Sequence, residues 1–86
     1  MGNSEHLLSK MNAQYQKFSK GQKKLAAYIQ ENYDKAAFLT AAKLGETVGV
    51  SESTVVRFAI YLGYKGYPEF QKALEELVRT KLNSIQ

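Results

Sequence analysis

The run AAKLGETVGVSESTVVRFAI, from Ala41 to Ile60, reads as two short helices that meet at a glycine. Thr40 is placed to cap the first helix and Ser51 the second, since a hydroxyl there accepts from amides that the helix leaves unpaired. Glu52 sits in the first turn of the second helix, where a negative charge suits the dipole. The join is a three-residue turn, Gly49-Val50-Ser51. A helix-turn-helix makes two packing demands. The first helix needs a small residue where the second crosses it, and Gly45 supplies one, although glycine weakens its own helix by up to ~1 kcal/mol and alanine is commoner at such crossings. The turn needs a residue tolerant of positive φ, and Gly49 supplies that. The inward positions Leu44, Val48, Val50, Val55 and Phe58 are all apolar.

Outward from this pair the chain keeps a helical pattern. Leu7, Leu8, Met11, Tyr15 and Phe18 recur at steps of three and four and predict one helix face, with Ser4 as its cap. Ser19 opens a second helix, and Gln22 stands at the capping-box spacing. Leu25, Tyr28 and Ile29 form its stripe, which fades at Asn32, and an Ala-rich turn is expected over residues 34–39. After the helix-turn-helix, Gly63 ends the fourth helix and residues 64–67 form a loop. Pro68 takes the first position of a last helix, lined by Phe70, Ala73, Leu74, Leu77, Val78, Leu82 and Ile85. No stretch alternates strictly between turn signals. The expectation is an all-α fold, a compact bundle of about five helices containing a helix-turn-helix, in one domain over residues 1–86.

Composition narrows the chemistry. The 86 residues carry 12 Lys and Arg against 8 Asp and Glu, 44% hydrophobic residues and no cysteine. Disorder is disfavoured by that apolar content. Without cysteine there are no disulfides, zinc-thiolate sites or thiol nucleophiles. The single histidine, His6, lies near the terminus, and Glu75 and Glu76 are adjacent, so on a helix they diverge. No residue set nominates a catalytic, metal or cofactor site. No apolar run approaches the ~18 residues of a membrane span, and the chain reads as cytoplasmic.

The outer side of the second helix of the pair supplies the functional signal. Ser51, Glu52, Ser53, Val56, Arg57 and Ile60 fall there, and a helix laid in a major groove presents such N-terminal residues to base edges. Glu52, Ser53, Val56 and Arg57 are the candidate base readers, with Arg57 foremost because a guanidinium can bind guanine O6 and N7 together. Lys43, Ser51, Thr54 and Lys65 are the candidate phosphate contacts.

The segment from Gly49 to Phe58, GVSESTVVRF, resembles the recognition segment of RpiR-family bacterial regulators. The segment from Leu62 to Phe70, LGYKGYPEF, resembles that family's following loop, with Tyr at two places where Phe is commoner. The likeness extends over about residues 4–82. LacI-type headpieces share the Gly-Val-Ser, Thr-Val and Arg elements, but they begin their helix-turn-helix near the N-terminus and lack the Gly63–Phe70 loop. The RpiR resemblance implies sequence-specific binding of a double-stranded DNA operator, usually as a repressor of sugar-catabolic genes, by two-fold related subunits. It also implies a C-terminal sugar-isomerase-like (SIS) domain, outside residues 1–86, that binds a phosphosugar effector.

Other features carry two readings each. Residues 1–50 hold seven bases and four acids, and residues 51–86 five and four, so charge is uneven. Lys17, Lys20, Lys23 and Lys24 cluster where cations oppose the helix dipole, which leaves phosphate contact or a solvated face. Tyr61, Tyr64 and Tyr67 read as packing with hydroxyls at the surface, the alternative being a phenol on phosphate. The Phe70–Ile85 stripe is either a core face or a seam for a homodimer, and a protein-interaction domain using that stripe without DNA is the reading from a different class.

Overall fold

A computed structural model of the chain describes the backbone of residues 3–83 and the side chains of residues 7–80. The side chains of Ser4, His6, Leu82 and Ile85, named above, lie outside the described residues, but the backbone is already helical from Asn3, so Ser4 stands inside the first helix and is not its cap. Five α-helices follow in order: α1 Asn3–Gln14, α2 Lys20–Ala36, α3 Ala41–Val48, α4 Glu52–Tyr61 and α5 Tyr67–Asn83. A single 3-10 turn, Tyr15–Lys17, joins α1 to α2, and there is no strand among the described residues.

The expected first helix is therefore shorter than its apolar pattern. Tyr15 to Phe18 keeps the step of three that a 3-10 turn shares with an α-helix, so the pattern alone cannot tell them apart. Phe18 itself is extended (φ −70, ψ 147), because the chain must leave the helix before Ser19 can cap the next one. That cap is complete. Ser19 Oγ accepts from the Gln22 amide at 3.2 Å, and Gln22 Oε1 accepts from the Ser19 amide at 2.9 Å.

The fading of the α2 stripe at Asn32 marks a kink, not an end. Asn32 leaves helical geometry (φ −136, ψ 40), and its side-chain amide donates to the Tyr28 carbonyl at 3.3 Å. A short amide side chain competing for backbone groups bends a helix in this way. The helix resumes to Ala36, so the expected Ala-rich turn shrinks to the residues just before Thr40. Ala36 and Ala37 are fully buried and belong to the core, where a larger side chain would force α2 away from its neighbours.

Leu7, Met11, Leu25, Ala26, Ile29, Leu44, Val55, Phe58, Phe70, Leu74 and Leu77 are wholly inaccessible. Rings organise the centre: Phe18 meets Phe58 edge-on at 5.2 Å, and Phe58 meets Phe70 at 6.1 Å. The α5 stripe runs between α1 and α2. Within its described part, Phe70, Leu74 and Leu77 are closed by helices of the same chain, while Ala73 and Val78 are half-buried.

α5 begins at Tyr67, one residue earlier than expected. The Gly66 carbonyl accepts from the Phe70 amide, and Pro68 occupies the second helical position, where an N–H is still not required. Tyr67 departs from the surface-hydroxyl expectation. It is buried, and its hydroxyl donates to the Leu39 carbonyl, which also accepts from Gln71. Two carbonyl lone pairs left bare by the α2–α3 connection explain the arrangement, since a buried carbonyl must find donors.

Candidate nucleic-acid interface

The corner between α3 and α4 is built by backbone approach. Gly49 adopts φ 94 and ψ 32, and both its amide and that of Val50 donate to the Gly45 carbonyl, at 2.7 and 2.8 Å. The Val50 bond closes the six-residue ring of a Schellman ending. Gly45 is buried at the crossing. A Cβ there would stand 2.7 Å from the Val50 carbonyl oxygen and 3.2 Å from that of Ser51, inside contact distance of rigid backbone. The close approach thus demands glycine at Gly45, beyond the merely small residue that the sequence pattern requires.

Ser51 then turns the chain into α4. Its Oγ accepts from the Thr54 amide at 3.2 Å and lies 2.9 Å from Thr54 Oγ1 and 3.2 Å from Ser53 Oγ. Val55, Phe58 and Ala59 anchor the inward side of α4 and set its rotation. The outward side is left open: Glu52, Ser53 and Arg57 are exposed, and Ile60 and Tyr61 expose 52% and 44% of their surface. Val56 is half-buried against the core, so of the four candidate readers it offers the least free surface.

The candidate phosphate contacts are scattered. Lys43 lies at the start of α3, exposed, with its ammonium 3.2 Å from Glu46. An ion pair that open to solvent is worth little and leaves the cation available. Lys65 is exposed in the loop before α5, its amide donating to Glu69 Oε1 at 2.6 Å. Ser51 is exposed, whereas Thr54 is half-buried with its methyl turned toward Gly21.

The far end of α4 is held by side chains. Gly63 takes φ 106, and the Tyr64 amide donates back to the Ala59 carbonyl at 3.1 Å. Lys10 Nζ donates to the Leu62 carbonyl at 3.0 Å and lies 4.9 Å from the Tyr64 ring centre. Burial, and then the Glu69 carboxylate, raise the Tyr64 hydroxyl above its usual pKa. Lys10 and Gly21 escaped the sequence reading. A half-buried lysine capping a helix 52 residues away leaves no local pattern.

Among the described residues no group of histidine and acidic side chains is arranged to hold a metal ion, and no helix is long and apolar enough to cross a membrane.

Two helices meeting at a positive-φ glycine, the second anchored inward and open outward, define a helix-turn-helix domain. The profile of the helix-turn-helix domain, rpiR family, matches residues 5–81, and the chain belongs to that family. It is 39% identical over 77 residues to the uncharacterized HTH-type transcriptional regulator YfhH of Escherichia coli, covering 90% of this chain and 27% of that protein. It is 32% identical over 83 residues to an uncharacterized HTH-type transcriptional regulator of Haemophilus influenzae, covering 96% of this chain and 29% of that one. Among solved structures, the Vibrio vulnificus NanR protein complexed with ManNAc-6P superposes with a TM-score of 0.81 at 34% identity, over 92% of this chain and 30% of that one. The chain thus spans less than a third of the length of these relatives. It is a helix-turn-helix domain of the kind found in transcriptional regulators.

Proposed function

We propose that the domain binds duplex operator DNA sequence-specifically, with α4 in the major groove. Glu52, Ser53, Val56 and Arg57 face the bases, and Lys43, Ser51, Thr54 and Lys65 hold the backbone. One observation carries this reading: the outward side of α4, Arg57 included, is uncovered by the rest of the chain, while its inward side is locked on the core. A polar helix face fixed in rotation yet free of neighbours is what groove reading requires.

In this reading residues 1–86 are the DNA-binding part of a cytoplasmic regulator that represses sugar-catabolic genes. A sugar-isomerase-like domain outside these residues binds a phosphosugar and alters operator affinity. That NanR has been captured with ManNAc-6P supports an effector of this type. The regulator acts as a homodimer, so its half-sites stand about one DNA turn apart, ~34 Å.

Selection of bound duplexes from a random pool tests the proposal. It is expected to enrich one motif, repeated at that spacing when the dimer forms. Arg57→Ala should cost ~1–3 kcal/mol on the enriched site and relax preference at a single base pair. A pool that stays random would overturn sequence-specific binding, and an unchanged motif with Arg57→Ala would remove Arg57 as a reader.

A further inference from the structure

The lysine-rich entry to α2 lies beside the open face of α4. An ideal Cβ on Gly21 would come 3.3 Å from Val50 Cγ1 and 3.7 Å from Thr54 Cγ2, so the first turn of α2 rests on the turn and first turn of α4. Three residues earlier, Phe18 packs edge-on against Phe58 and, at 5.8 Å, against Tyr61. The segment from Phe18 to Gly21 therefore runs alongside the row Thr54–Phe58–Tyr61, positions that share one side of a helix. At 100° per residue, Arg57 lies some 60° around from Thr54, on the exposed side of that row. The segment from Phe18 to Gly21, which carries Lys20 and is flanked by Lys17 and Lys24, thus forms a wall beside the face that carries Arg57.

The wall is basic without local compensation. From Leu7 to Gln30 the sequence holds five lysines and no acid. Lys17, Lys20 and Lys24 are exposed, and Lys20 and Lys24 stand one helical turn apart on the same flank of α2. Lys23 lies over the Tyr15 ring at 5.5 Å and is half-buried. Cations at a helix start work against the helix dipole, so their placement does not serve the stability of α2.

We infer that Lys17, Lys20 and Lys24 form a phosphate-binding rail on which one DNA strand rests at the edge of the groove that α4 enters. The inference rests on the DNA-binding reading above and names a further part of its contact surface. Such a rail contributes affinity without sequence information, since phosphates are the same at every base pair.

The test is the salt dependence of binding by the whole chain, measured by fluorescence anisotropy on the selected duplex and on an unrelated one. In K17Q/K20Q/K24Q, the slope of log K against log salt should become shallower by about two to three units, near 0.9 per phosphate released. About 40-fold of the affinity lost between 50 and 200 mM salt would then disappear on both duplexes. The base preference should stay as in the parent, and the thermal midpoint should not fall below it. K17R/K20R/K24R should keep the parental slope. K35Q/K72Q, which removes charge elsewhere on the surface, should leave it nearly unchanged. A parent that binds with a steep slope and a glutamine variant that keeps it would overturn the rail alone. A parent that binds no duplex would overturn the DNA-binding reading, and the rail with it.

Discussion

The two ends of α4 are closed by the same device and secured by different ones. At each, a glycine at positive φ ends a helix, with a following amide reaching back five residues: Val50 to Gly45, and Tyr64 to Ala59. At the start of α4 the fastening is backbone on backbone, with Gly45 against the Val50 and Ser51 carbonyls. At its far end the fastening is side chain on backbone, with Lys10 on the Leu62 carbonyl. Nothing but separation of the helices relieves a clash between backbones, whereas a side chain can move or be replaced by water. The start of α4 should therefore be brittle and its far end forgiving. This suits a helix whose cap and first turn, Ser51 to Thr54, carry half of the candidate contacts.

The largest effect is expected at Gly49. A Cβ there meets nothing within 4 Å, so only the backbone conformation at φ 94 opposes a substitution. Gly49→Val places a β-branched residue in the left-handed region and should cost about 2 kcal/mol. For a domain this size, thermal denaturation should show the midpoint lowered by ~10 °C. An unchanged midpoint would mean that the corner does not hold this conformation in solution.

Gly45→Ala comes next and probes the backbone approach itself. The added methyl improves helix propensity by up to ~1 kcal/mol but overpacks against rigid carbonyls at a cost of ~1–3 kcal/mol. The net expectation is a loss of about 1 kcal/mol, read by urea denaturation. A gain in stability would show that α3 and α4 separate easily and would erase the contrast between the two ends.

At the forgiving end, Lys10→Met keeps the length and apolar stem of the side chain while removing the ammonium. The bond to the Leu62 carbonyl and the stacking on Tyr64 are both lost, yet water can reach the carbonyl once the cation is gone. About 1 kcal/mol or less is expected. A loss exceeding that of Gly45→Ala would reverse the ranking of the two ends.

The same contrast separates what the chain discloses in its sequence from what it does not. Thr40, Ser51, Gly49 and the capping box at Ser19 act within four residues of themselves, and the structure has each in the role that its local pattern predicts. The open face of α4 is legible for the same reason, since periodicity alone separates Arg57 from Phe58. The 3-10 turn before Phe18 is hidden because it keeps the apolar step of a straight helix, whereas the kink at Asn32 breaks the stripe and so reads as a helix end. The partners of Lys10, Gly21, Tyr67 and Gln71 lie 28 to 52 residues away in sequence. Such pairings exist only once the helices have packed. The lysine cluster stayed ambiguous on the same ground: its neighbour across space, the Thr54 side of α4, is set by the fold.

The smallest effect at neutral pH is expected at Tyr67, where a long-range pairing can be tested by titration. Tyr67→Phe removes the hydroxyl that donates to Leu39, but Gln71 Nε2 still donates to the same carbonyl at 3.1 Å. The loss should be ~0.5–1 kcal/mol. The larger signature lies at alkaline pH. Burial pushes the Tyr67 hydroxyl from 10.0 up to about 12, so the folded chain keeps it neutral where the unfolded chain ionises it. The stability linked to this group is complete below pH 10 and is lost as pH rises from 10 through 12. Tyr64, also raised, adds a decline of the same sign. Thermal midpoints measured from pH 7 to pH 11.5 should fall less steeply above pH 10 for Tyr67→Phe than for the parent, and the two curves should converge. Parallel curves would place the alkaline sensitivity elsewhere and show that the Tyr67 hydroxyl is not held inside the fold.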